Sequence, residues 1–219
     1  MQLLLRQWNQ KLNLTRLVEG PDYWIGQVFD SVWPLQPWLT AAQGSNGFAV
    51  VDVGTGGGFP GLAIAIALPH THLTLVDSVG RKLEAVGAMA RELGLSNRVE
   101  LRCERAEKTG RDPRCRGRFQ LAVARAVAPA PVVAEYLVPL LAAEGTALLY
   151  RGLWSATDQQ QLCKISNLLQ VQISQPIALE LPEGRGQRHV ISLTPRGPCP
   201  SLYPRAVGIP AKQPLRQRN

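Results

Sequence analysis

Cysteine and histidine are scarce in this chain, with four of the first and three of the second among 219 residues. Cys103, Cys115, Cys163 and Cys199 stand 12, 48 and 36 residues apart with no CxxC pair. That spacing argues against zinc ribbons, thioredoxin-like redox motifs and a disulfide framework, and leaves free thiols and no metal. No apolar run reaches about 18 residues without a break, the length a membrane helix needs. The opening MQLLLRQWNQ has neither a long apolar stretch nor a small-residue cleavage site. Neither a span nor a signal peptide is therefore expected, and the protein is read as a cytoplasmic monomer. Acidic residues run out toward the end: from Leu181 to Asn219 six arginines and one lysine face Glu183 alone, a surplus of +6 out of +8 for the whole chain. Clustered arginine of this kind is the electrostatic footprint of nucleic-acid binding, against which stands the plainer reading of a solvated tail.

Glycine is what the chain has in concentration. VVDVGTGGGFPGLAIAIALP, Val50 to Pro69, holds five glycines in the eight residues from Gly54 to Gly61. Glycine admits positive φ and lets a ligand approach main-chain N–H groups. Gly56, Gly58 and Gly61 match the GxGxxG spacing, a weak signal alone. Its setting strengthens it, because the glycines follow an apolar β-branched run, open a helical pattern, and precede by 21 residues an aspartate, Asp77, at the end of the next strand-like run. A carboxylate there accepts hydrogen bonds from ribose hydroxyls. Asp52, just before the turn, would repel a pyrophosphate seated on the helix N-terminus. The same charge suits the ammonium and sulfonium of S-adenosylmethionine, unless it is spent on turn amides.

Short β-branched runs alternate with helical periodicity from Phe48 onward, which predicts a doubly wound, largely parallel α/β sheet. Residues 1–47 read as a small helical cap, 48–194 as the sheet domain, and 195–219 as a basic, proline-rich extended tail. VQISQPIALEL and RHVISL, separated only by PEGRGQ, are expected as one antiparallel hairpin at the sheet edge, since so short a linker cannot make a parallel crossover. At the end of the fourth strand, where an acceptor would meet the cofactor, stands ARAVA with Arg125, and no Asn-Pro, Asp-Pro or Pro-Cys pair. The absence of a base or nucleophile suits a target with a free lone pair such as guanine N7, whose usual side-chain partner is arginine. Arg125 has two further readings, a clamp on the cofactor carboxylate and a structural ion pair.

WNQKLNLT, FDSVWPL, DVGTGGGFPGL, VDS, RAE, ARAVA, YRG and YPRAVGIPAKQPL, spread over almost the whole chain, resemble the bacterial small-subunit (16S) ribosomal RNA guanine-N7 methyltransferase family, also called glucose-inhibited division protein B. The resemblance implies a Rossmann-like class I methyltransferase sheet of seven strands, the last antiparallel, behind an α-helical cap. It implies S-adenosylmethionine as cofactor and 16S rRNA or the small subunit as partner. It places Gly54 and Phe59 at the methionine end, Asp77 at the ribose, Ala106 and Glu107 beside the adenine, and Arg125 at the pocket's close, with Gly56, Val76 and Ser78 also expected to bind the cofactor. Arg151, Arg196, Arg205 and Lys212 are the expected RNA contacts, and no residue is assigned acid–base catalysis. The chain departs from the family pattern at Gly26 and Gln27, where a basic residue and a histidine are usual, at Arg151, usually lysine, and in the shorter segment ahead of WNQKLNLT. Other readings are methylation of another RNA base or a small molecule, an NAD-type oxidoreductase, and a non-catalytic RNA-binding relative.

Overall fold

A computed structural model of the chain describes residues 1–41 and 47–216. The first helix, α1 (Gln2–Leu12), is followed by a nearly continuous helical run: α2 (Gly20–Tyr23), a π-helical stretch Trp24–Phe29, α3 (Asp30–Val32), a 3-10 turn Trp33–Leu35 and α4 (Gln36–Ala41). Strands and helices then alternate: β1 (Ala49–Val53), α5 (Gly61–Ala67), β2 (His72–Asp77), α6 (Gly80–Glu92), β3 (Val99–Cys103), α7 (Ala106–Arg111), β4 (Phe119–Arg125), α8 (Ala130–Leu137) and β5 (Leu141–Arg151). The chain continues through α9 (Ala156–Lys164), α10 (Ser166–Leu169), β6 (Val171–Ile173), β7 (Ile177–Glu180), β8 (Gln187–Pro195) and α11 (Ile209–Lys212).

The sheet runs β3-β2-β1-β4-β5-β8-β6. Its first five strands are parallel, so the doubly wound α/β expectation holds. Side-chain alternation divides two cores. Val50, Leu73, Leu75, Leu121, Val123 and Leu148 face α5, α6 and the cap, whose Leu5, Tyr23 and Leu35 are buried among them. Val51, Val53, Val76, Ala122, Ala147 and Leu149 face α8 to α10 on the other side. The order reverses between β1 and β4, and their carboxyl ends therefore flank a crevice, the usual ligand position in such sheets.

The expected antiparallel hairpin lies at the sheet edge: β6 and β7, end to end, form the outer strand, and β8 stands between them and β5, antiparallel to both. Pro176, which has no N–H to give a ladder, falls in the gap that splits VQISQPIALEL into two strands. The tail, expected to be extended, is instead packed onto the domain. Tyr203 and Leu215 are buried in the α8–α10 core, and Pro204 and Pro210 are buried as well. Arg111 Nε donates to the Pro204 carbonyl at 2.7 Å, and Arg116 donates to the carbonyls of Tyr203 (2.6 Å) and Cys199 (2.8 Å).

Candidate functional site

The glycine turn sits at the carboxyl end of β1. Gly54, Gly56 and Gly58 adopt φ of +77°, +56° and +92°, where side chains with a Cβ are disfavoured. Gly54 N–H and Thr55 N–H both donate to the Val76 carbonyl at 2.8 and 3.1 Å, which fastens the turn to β2. Asp77 closes it from the other side: one carboxylate oxygen accepts from Gly56 N–H at 2.8 Å, the other from Val79 N–H at 2.9 Å. A carboxylate offers about four acceptor positions, so two remain for a ligand's hydroxyls. At Gly56 an added Cβ would meet nothing nearer than the Gly54 carbonyl at 3.9 Å. The missing side chain leaves room on the cleft side.

All nine residues expected at the cofactor, Gly54, Gly56, Phe59, Val76, Asp77, Ser78, Ala106, Glu107 and Arg125, line one cleft of about 500 Å³. Its two glutamates each accept hydrogen bonds through one oxygen. Glu107, buried, accepts from Gly208 N–H at 2.9 Å and from the Tyr136 hydroxyl at 3.4 Å. Glu104 accepts from Arg102 at 2.7 Å and Thr109 at 2.9 Å. Ala211 of α11 completes the wall, a contribution from the tail that spacing could not reveal.

Asp52 is outside this cleft. It is fully buried and accepts from Gly61 N–H at 2.9 Å, and burial pushes its carboxyl up to about 6. It serves the turn's amides, so its charge does not discriminate between cofactors. Arg125 is committed to the cap: its guanidinium donates to Asp30 at 3.1 Å, to the Gly26 carbonyl at 3.4 Å and to Gln27, with the Phe59 ring 5.9 Å away. Of its three sequence readings, the structure displays the ion pair, set at the cleft's edge.

The chain from residue 1 to 191 matches the model of the rRNA small subunit methyltransferase G family. It belongs to that family. It is 68% identical over 215 residues to a ribosomal RNA small subunit methyltransferase G of Synechococcus sp. (strain RCC307), covering 98% of this chain and 90% of the relative. To the protein of that name from Prochlorococcus marinus (strain MIT 9313) it is 59% identical, covering 98% and 86%. Among solved structures, the fold resembles geranyl diphosphate C-methyltransferase from Streptomyces coelicolor A3(2), whose crystal holds S-adenosyl-L-homocysteine (TM-score 0.53, 12% identity, 73% of this chain and 74% of that one). It also resembles a precorrin-6y C5,15-methyltransferase from Geobacter metallireducens (TM-score 0.51, 9% identity, 73% and 86%).

The four arginine and lysine positions expected at RNA do not form one surface. Arg196 and Lys212 are exposed, with Arg196 donating to Asn167 at 2.8 Å. Arg205 is spent inside the protein: its fork donates to the fully buried Glu135 at 2.9 and 2.7 Å, and its N–H to the same carboxylate at 2.8 Å. That bidentate pair removes Arg205 from the phosphate contacts. Arg151 lies elsewhere, at the end of β5, in a second cleft of about 490 Å³ beside the first. Among the described residues no cluster of three metal-ligating side chains occurs, and no helix is long and apolar enough to cross a membrane.

Proposed function

We propose that this member of the family transfers a methyl group from S-adenosylmethionine to N7 of a guanine in small-subunit (16S) ribosomal RNA, acting as a monomer in the cytoplasm. The observation that carries the reading beyond family membership is the chemistry of the cleft: a glycine cradle with room for a ligand, a ribose acceptor in Asp77, and carboxylates already engaged by hydrogen bonds. When bound, S-adenosylmethionine supplies a methyl on a positive sulfur; the N7 lone pair forms the new N–C bond as the C–S bond breaks, the sulfur keeps that electron pair, and no proton leaves.

This chain's residues then bind and align. Asp77 holds the ribose while it braces the Gly56 amide; Val76, Ala106 and Glu107 bound the adenine end; Phe59 and Gly54 bound the methyl end. Gly54 has no spare room toward the protein, since a Cβ there would meet Val127 Cγ2 at 2.5 Å. Arg125 fixes the cap's position against β4, which sets the gap the acceptor enters. Alignment of this kind can supply several orders of magnitude in rate without acid–base help. Exposed Arg196 and Lys212, with Arg151, contact RNA. The test is transfer of labelled methyl to small subunits from a strain lacking the modification, followed by nucleoside analysis. Label in 7-methylguanosine is expected; label in any other nucleoside, or none, refutes the reaction.

A further inference from the structure

We propose that the second cleft is the seat of the target guanosine, lifted from its RNA stack, with Asp30, Arg151 and Arg188 as the groups that recognise it; the proposal rests on the methyl-transfer reading above. The two clefts share one wall, made of Thr15, Gln27, Arg125 and Ala126. An acceptor in the second therefore faces a donor in the first across the end of β4. That wall is built from unusual backbone on both sides. Ala126 takes φ +56° although it is not glycine, and Gly26 and Gln27 lie in a six-residue π-helical stretch. Strained non-glycine residues and π-turns concentrate at functional sites. The π-helical stretch presents Gln27 and the Gly26 carbonyl to Arg125.

The charges of the second cleft match a guanine nucleotide. Three arginines, Arg125, Arg151 and Arg188, line it with one buried carboxylate, Asp30. Asp30 is held from both ends, by Arg125 at 3.1 Å and Arg188 at 3.5 Å, and each oxygen keeps a free acceptor position. Guanine presents donors at N1 and N2, which such a carboxylate accepts, and acceptors at O6 and N7, of which O6 wants a guanidinium. Adenine presents neither the N1 donor nor O6. Arg151 also borders a smaller cleft with Asp158, whose charge acts on it, and its Nε and one terminal nitrogen are buried with no hydrogen-bond partner. Arg125 and Arg188 both face the single carboxylate Asp30, so the second cleft carries surplus positive charge, which a phosphate-bearing guanosine offsets while giving Arg151 an acceptor. His189 is turned away from this task, its Nδ1 lying 2.5 Å from the Gly152 carbonyl.

The experiment measures methylation of small subunits lacking the modification, with cofactor affinity by calorimetry, for the wild type and for Arg151→Gln, Arg151→Lys and Arg188→Gln. One charge-assisted hydrogen bond is worth roughly a tenfold to hundredfold change. Arg151→Gln should therefore lose that much in kcat/KM for the subunit, Arg188→Gln about tenfold, and Arg151→Lys should recover most of the loss, with cofactor Kd within about twofold throughout. Methylation within about threefold of wild type in both glutamine variants overturns the assignment. So does cofactor affinity that falls in step with activity, which would put these arginines on the donor side. If Arg151→Gln does not fold, Arg188→Gln decides, since its side chain is already 30% exposed. Failure of the wild type to make 7-methylguanosine would instead strike the reaction itself.

Discussion

Asp52 and Asp77 are both aspartates at strand ends bonded to glycine-turn amides, and burial gives them opposite duties. Asp77, half-exposed, keeps acceptor positions toward the cleft. Charge-assisted hydrogen bonds contribute about 1.5–3 kcal/mol, so Asp77→Ala should weaken S-adenosylmethionine binding roughly tenfold to a hundredfold in calorimetry. Unchanged affinity in a folded variant would remove the ribose role. Asp52 has no water to face, and its carboxyl titrates near 6 instead of near 3.8. Between those values the folded state holds a proton that the unfolded chain has lost, so stability falls as pH rises through that window and stays lower above it. A shift of this size is worth about 3 kcal/mol. The stability of Asp52→Asn relative to wild type should accordingly improve by roughly that amount between about pH 4 and about pH 7. A difference that stays flat in denaturant titrations across the window would mean that Asp52 ionises in the folded protein as it does in the unfolded chain. The two aspartates look alike in sequence because depth in the sheet leaves no mark on the letters around them.

The glycine turn and the helix it opens can be separated by substitution. At Gly61, the first residue of α5, an added Cβ would meet Leu75 Cδ2 at 2.3 Å and Asp52 Oδ2 at 2.7 Å, so helix–sheet contact itself requires the glycine. Overpacking of this kind destabilises by about 1–3 kcal/mol. Gly61→Ala should lower the melting temperature yet keep the upward shift that S-adenosylmethionine produces. Gly56→Val places a β-branched residue at φ +56° and fills open space in the cleft, and there the ligand-induced shift should vanish. Equal ligand shifts in the two variants would contradict this division. The parallel strands were legible because runs such as HLTLVD and QLAVAR are β-branched or apolar on both faces, the pattern of a doubly covered sheet. The interior place of β8 was not, because a short linker specifies a hairpin and says nothing of what else the second strand pairs with. Nor was α7, whose six residues AEKTGR carry no helical period.

The C-terminal segment binds the molecule together and borders the cofactor cleft. Its proline content suggested an extended tail, but prolines also make rigid apolar surface, and Pro204 and Pro210 are used that way. Arg205 reads as a free cation until its partner is known, and that partner, Glu135, lies 70 residues earlier. Removing residues 196–219 would leave Glu135 buried without its cation, a loss of about 3–5 kcal/mol. It would also take Ala211 from the cleft wall and the Gly208 amide from Glu107. Melting temperature and cofactor affinity should fall together, and undiminished stability would show the segment to be dispensable. The exposed pair is distinct: Arg196→Ala with Lys212→Ala should leave the fold intact and reduce the salt slope of RNA binding by about 1.4 if each meets one phosphate. An unchanged slope would take both off the RNA path. The Glu135–Arg205 pair also orders events in time. Chains are made from the amino end and fold as they emerge, so α8 appears with its carboxylate long before the arginine that neutralises it. Until Arg205 and the following residues leave the ribosome, the nascent protein has an incomplete cleft, and chains arrested before Arg205 should retain no labelled cofactor while released chains do.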